Sequence, residues 1–215
     1  MDQASFLARF RPVEAPRQPP DGPAWIGGAD PEAFAARLEE AGGVVRRATP
    51  DDWVHQVAEQ AGEWGVHLAV ATAEGRLQPA VEALRSEGLE VRVAGTRDLR
   101  ERAAAAQMGL TGARWALAST GTVVLVSSAE APRLVSLLPR AHLAVVWEEE
   151  LLPDLAELAR RVRGLGPIPS GVTLVTGPSR TADIEQTVVV GVHGPERMGV
   201  VLISPPSAVP GSTVR

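Results

Sequence analysis

The 215-residue chain has no cysteine, no tyrosine and no lysine, so all 21 of its basic residues are arginine. Without cysteine there is no disulfide, no thiolate nucleophile, and no cysteine-held zinc or iron–sulfur cluster. Without lysine there is no Walker-type phosphate lysine, Schiff base or amine nucleophile. Chemistry within the chain must come from carboxylates, hydroxyls, arginine, four histidines and backbone amides. The histidines show no HxH or HxxxH spacing, so no histidine-only metal site is expected. A net charge of −5 lacks the basic excess of a broad nucleic-acid surface. No run of about 18 apolar residues is present. The start of the chain carries Asp2 and Arg9 and no apolar leader core, so the expected compartment is the cytoplasm.

What is present alternates. Residues 1–23 hold Arg9, Arg11, Arg17 and four prolines and predict a flexible, extended arm. Residues 24–204 read as one α/β domain, and 205–215 as a frayed tail. Asp30-Pro31 sets an N-cap and a proline at the first helical position. That helix carries Phe34 and Leu38 and stops at Gly42-Gly43. A strand follows at Val44-Val45, then a helix opened by Asp51-Asp52 and carrying Trp53, Val57 and Ala61. Further elements are a strand at Val66–Val70, a helix at Pro79–Ser86, a strand at Glu90–Val93 and a helix at Leu99–Ala106. Strands separated by helices at this spacing predict a mostly parallel sheet with helices on both faces. In the second half, the β-branched run Thr122–Val126 predicts a central strand buried on both faces, and Leu143–Trp147 another. Pro153–Val162 predicts a helix. Val172–Thr176, Val188–Val192 and Gly199–Ile203 predict three strands close enough for some antiparallel pairing.

Three stretches could carry chemistry. Gly177-Pro178-Ser179-Arg180-Thr181-Ala182-Asp183-Ile184-Glu185 follows a predicted strand. A turn with glycine, hydroxyls and an arginine there would gather an anion at the C-terminal edge of an α/β sheet. It could equally be a turn stabilised by its own local bonds. His193 beside Gly194-Pro195 could face a pocket or be structural; His142 reads as structural. Ser119-Thr120-Gly121-Thr122 could form an oxyanion or phosphate loop, or a plain turn into the strand. Arg133 and Ser136 lie three apart, which can place a guanidinium and a hydroxyl on one helical face. The acidic Trp147–Glu150 stretch reads as a solvated corner.

These stretches, in this order, resemble the lactate-utilisation (LUD) domain. The resemblance rests on Thr120–Leu125, Arg133–Pro139, Val175–Glu185 and Gly191–Pro195, and it is strong over Met108–Ile203. It implies a three-layer α/β/α fold of the NagB/RpiA/CoA-transferase type. It also implies an accessory role in oxidising L-lactate to pyruvate, beside separate iron–sulfur subunits that carry the clusters. No cofactor or metal is expected on this chain. The alternative the fold type implies is a stand-alone enzyme on a phosphorylated, CoA- or folate-linked metabolite. The expected ligand-binding set is Thr120, Gly121, Thr122, Arg133, Ser136, Gly177, Ser179, Arg180, Thr181, Asp183, Glu185 and His193, holding a small anion. The family usually places a glutamate before Thr-Gly-Thr, where this chain has Ser119; no catalytic residue is assigned.

Overall fold

The computed structural model describes residues 29–95, 98–166, 169–182, 188–191 and 194–205. The predicted arm lies outside them, as do the tail beyond residue 205 and the candidate residues Asp183, Glu185 and His193.

Helix α1 (Pro31–Glu40) begins where predicted, with the Asp30 carboxylate accepting the Glu32 N–H at 2.9 Å. Then come β1 (Val44–Ala48), α2 (Trp53–Glu63), β2 (Leu68–Ala71), α3 (Gln78–Ser86), β3 (Glu90–Val93) and α4 (Leu99–Ala105). β4 (Met108–Gly112) was not among the predicted strands. It leads into β5 (Trp115–Leu117), β6 (Thr122–Val126), the one-turn helix α5 (Leu134–Leu137) and β7 (Ala141–Trp147). β8 (Leu151–Leu152), α6 (Leu155–Gly164), β9 (Val172–Val175), β10 (Arg180–Ala182), β11 (Val188–Val190) and β12 (Arg197–Ile203) complete the described elements.

Six strands form the main sheet in the order β1-β12-β7-β4-β2-β3, and every neighbouring pair is parallel. Alternate residues of β7 enter opposite cores, as the period of two requires. Leu143 and Val145 pack with Trp53 and Val57 of α2 and Val81 and Leu84 of α3. Ala144 and Val146 pack with Phe34 and Leu38 of α1 and Val123 and Leu125 of β6. Beside them, α4 and α5 cover β2 through Ala103, Val135 and Val70. The expected three-layer α/β/α arrangement is therefore the observed one, with a small sheet added to the second outer layer.

That small sheet, β8-β5-β6-β9, corrects one expectation. The Thr122–Val126 run is buried as predicted, but its β6 pairs antiparallel with β5 and β9 and does not enter the parallel sheet. Burial on both faces has a different cause: the main sheet covers one side, and Leu158 and Val162 of α6 cover the other. The three strands expected close together at the end of the domain do not pair with one another among the described residues: β9 pairs antiparallel with β6, β11 pairs antiparallel with β10, and β12 joins the parallel sheet. The corner at Trp147–Glu150 is also more structured than predicted. Arg76 donates to Glu150 at 2.6 Å, and its guanidinium lies 3.5 Å over the Trp147 ring. No described helix is long and apolar enough to cross a membrane.

Candidate functional site

In an open parallel sheet, ligands bind outside the C-terminal strand ends, where successive connections leave in opposite directions. Here the chain leaves β2 toward β3 on one side and leaves β4 toward β7 on the other. The switch point is therefore the β2–β4 pair. A crevice of about 220 Å³ opens there, between Thr72, Glu74, Thr111 and Gly112 on the sheet side and the β6–α5 segment opposite.

The crevice is held from both walls. Ala73 N donates to Glu130 O at 2.7 Å, joining the β2 loop to the β6–α5 loop. Glu74 Oε2 accepts from Thr72 Oγ1 at 2.5 Å and from Gly112 N at 3.1 Å. A Cβ at position 112 would lie 3.0 Å from both Glu74 carboxylate oxygens, so glycine permits this approach. On the opposite wall, Gly109 lets α5 lie directly on β4, since a Cβ there would sit 1.8 Å from the Val135 carbonyl oxygen. α5 thereby sets Arg133 and Ser136 at the crevice, as their spacing predicted. Ser136 is buried, and its hydroxyl donates to the Arg133 carbonyl at 3.0 Å.

Arg114 and Arg133 both line the crevice, and neither has an ion-pair partner among the described residues. Arg46, Arg47, Arg76 and Arg140 each pair with at least one carboxylate, whereas Arg85, Arg163 and Arg197, away from the crevice, have none among the described residues; what sets Arg114 and Arg133 apart is that both line one crevice. The Arg114 guanidinium also lies 5.3 Å from the Trp115 ring centroid, and its charge acts on the Glu150 carboxylate. Two guanidiniums with no carboxylate at ion-pair distance among the described residues can still hold a carboxylate or phosphate.

Behind the crevice, His142 is fully buried and its Nε2 lies 2.9 Å from Thr111 Oγ1. Nδ1 has no partner. A buried N–H without an acceptor is rarer than a bare acceptor, so Nε2 carries the proton and donates to Thr111. The Thr111 hydroxyl proton is then left to point elsewhere. Burial alone pushes the His142 pKa down to about 4, against an unfolded value of about 6.5. Between those values the unfolded chain binds a proton that the native state does not. Stability therefore rises with pH across this window, and falls by roughly 3 kcal/mol as pH drops from about 6.5 to about 4. Urea unfolding at about pH 7 and about pH 4.5 checks this. His142→Gln is expected to shrink the difference, and an unchanged difference would assign it to other groups.

The remaining described candidate residues gather elsewhere. Gly121 has φ +63° and meets the backbone of Leu38 in α1, while Gly177 has φ +121° and meets the Ala41 carbonyl oxygen just beyond it. Thr120, Thr122 and Thr176 form a hydroxyl string with two contacts of 2.7 Å. The Arg180 guanidinium packs against Gly42, beside the C-terminal end of α1, where the helix dipole favours a cation. Ser179 N donates to Pro195 O at 2.9 Å; Thr181 lies in β10. Gly42 precedes β1 and Pro195 precedes β12, so this cluster sits at the N-terminal edge of the parallel sheet. The sequence placed the Gly177–Arg180 turn at the C-terminal edge. The difference arises because β9 belongs to the antiparallel sheet and delivers its following turn to the opposite end. Ser119 shares the Gly121 turn, with its N–H donating to Pro153 O at 3.0 Å. The two ends of β6, about 13 Å apart at roughly 3.3 Å per residue, thus separate the two groups.

Sequence reasoning missed Glu74, Arg114, Thr72 and Thr111. The usable indication was position, since each lies at or just past the end of β2 or β4. Reading it required β4, which had not been recognised.

Comparison with known proteins agrees with this architecture. The chain is 32% identical over 169 residues to Lactate utilization protein C 1 of Bacillus mycoides, covering 74% of this chain and 72% of that protein. It is 44% identical over 98 residues to Lactate utilization protein C of Shouchella clausii, a match that spans 43% of that relative's length. Its fold is similar to the crystal structure of a DUF162 family protein from Deinococcus radiodurans. That match has a TM-score of 0.58 and 23% identity, and covers 80% of this chain and 94% of the other. The LUD domain model matches residues 31–203. The chain belongs to the LUD domain family.

Proposed function

We propose that the chain is an accessory component of L-lactate utilisation that binds a small carboxylate in the β2–β4 crevice. In this reading, separate iron–sulfur subunits carry the electrons when L-lactate is oxidised to pyruvate. The relatives' names supply the process. The observation that carries the site is the pair of guanidiniums, Arg114 and Arg133, that line the switch-point crevice with no carboxylate at ion-pair distance among the described residues. The chain has no cysteine with which to hold a cluster, so electron transfer falls to a partner. The crevice volume of about 220 Å³ is below the roughly 300–1,000 Å³ of sites for drug-sized ligands. That favours a small metabolite over a CoA- or folate-linked one.

Titration of the protein with L-lactate and pyruvate, followed by ligand-observed NMR, tests the site. Charge-assisted hydrogen bonds contribute roughly 1.5–3 kcal/mol. Arg133→Ala and Arg114→Ala are each expected to weaken binding by about tenfold or more. Unchanged affinity in both variants would remove the site from the crevice. Purification from the native cell tests the partners: absence of any associated iron–sulfur protein would sink that part of the reading.

A further inference from the structure

We propose that Glu74 reads the hydroxyl group of the crevice ligand, so that the crevice selects a small 2-hydroxycarboxylate over the 2-keto acid of the same carbon skeleton. This rests on the preceding proposal that the crevice binds a small carboxylate.

The charges in the crevice are mixed. Alongside Arg114 and Arg133 stand two carboxylates, Glu74 and Glu130, and neither pairs with an arginine among the described residues. A plain anion would meet two like charges there. A ligand that presents a carboxylate to the guanidiniums and a hydrogen-bond donor to a glutamate satisfies both.

Glu74 is the better placed of the two glutamates. Its Oε2 is fixed by Thr72 Oγ1 at 2.5 Å and Gly112 N at 3.1 Å, one group from each switch-point strand end. Its Oε1 accepts no hydrogen bond from any described residue, yet it is not among the buried unpartnered atoms. One oxygen is therefore anchored, and among the described residues the other has no donor. A carboxylate only accepts hydrogen bonds. A ligand hydroxyl can donate to Oε1, whereas a keto oxygen would set lone pairs against lone pairs. Because rigid strand ends and a glycine hold the group, it cannot swing away without breaking two hydrogen bonds. Thr111, whose Oγ1 lies 2.9 Å from His142 Nε2, stands on the same wall; in the tautomer with the proton on Nε2 its hydroxyl proton is left for a ligand oxygen.

The test uses three C3 acids that differ only at the second carbon: L-lactate, pyruvate and propionate. Dissociation constants are read by NMR titration of the full chain, with thermal melts confirming the fold of each variant. The wild type is expected to bind L-lactate about tenfold or more tighter than pyruvate, with propionate between or near pyruvate. Glu74→Gln keeps an acceptor for Gly112 N and adds an amide donor, so it should erase the preference or reverse it. Glu74→Asp retains the charge and should keep the direction of preference at weaker affinity. Equal or tighter binding of pyruvate by the wild type overturns the inference, whatever the variants do. A lactate preference that survives in Glu74→Gln overturns it as well. Binding of all three acids without a Glu74-dependent preference sinks this inference alone. Binding of none sinks the carboxylate site and this inference with it.

Discussion

Gly109→Ala is expected to lower the melting temperature by roughly 2–12 °C and to abolish carboxylate binding in the crevice. A Cβ at this position would lie 1.8 Å from the Val135 carbonyl oxygen and 2.9 Å from its carbonyl carbon. Backbone cannot rotate aside as a side chain can, so α5 must lift off β4. Overpacking of this kind costs about 1–3 kcal/mol, occasionally more, and each kcal/mol shifts the midpoint by roughly 2–4 °C at this chain length. The same displacement moves Arg133, at the N-terminal end of α5, and Ser136 within it. Calorimetry reads the first effect and carboxylate titration below the midpoint the second. A variant that loses stability but binds normally would show that α5 does not position the ligand. One with an unchanged midpoint would show that α5 shifts freely.

Gly121→Ala separates the two groups of candidate residues. Its φ of +63° is left-handed, and an added Cβ would sit 2.3 Å from Leu38 N and 2.7 Å from the Arg37 carbonyl carbon. The left-handed conformation costs a non-glycine residue about 1–2 kcal/mol, and the clash adds about as much again. A loss of about 3 kcal/mol, or roughly 6–12 °C, is expected. Carboxylate affinity well below the midpoint should be within about twofold of wild type, because Gly121 holds α1 and lies at the other end of β6. Loss of binding without loss of stability would return the Thr120–Thr122 turn to the ligand and count against the crevice.

Local chemistry made much of the fold legible. The Asp30-Pro31 start of α1, the Glu90–Val93 strand and the Trp53, Val57, Ala61 stripe of α2 follow from caps, alternation and helical spacing, all short-range properties. β4 was missed because Met-Gly-Leu-Thr-Gly lacks β-branched bulk on alternate positions. Its glycines answer to α5 and Glu74, which are distant in sequence. Thr122–Val126 was legible as buried but not as antiparallel, since burial on two faces looks the same in either sheet. The site divides likewise. Arg133 and Ser136 stand three residues apart and were readable, whereas Glu74 meets Gly112 across 38 residues. The Gly177–Arg180 turn was conspicuous in composition, but its glycine is explained by contact with α1.

The position of β12 between β1 and β7 has a consequence for the order of assembly. During synthesis β1 emerges early, yet among the described residues its sole neighbour in the main sheet is β12, with Val44 registered against Gly199. Until β12 is made, β1 has no described strand to pair with and one side of β7 lacks its described neighbour. The last strand must then slide into a slot and form two parallel ladders at once, a non-local step that makes folding slow. β12 is a keystone: its loss would not trim the sheet at its margin but would detach β1.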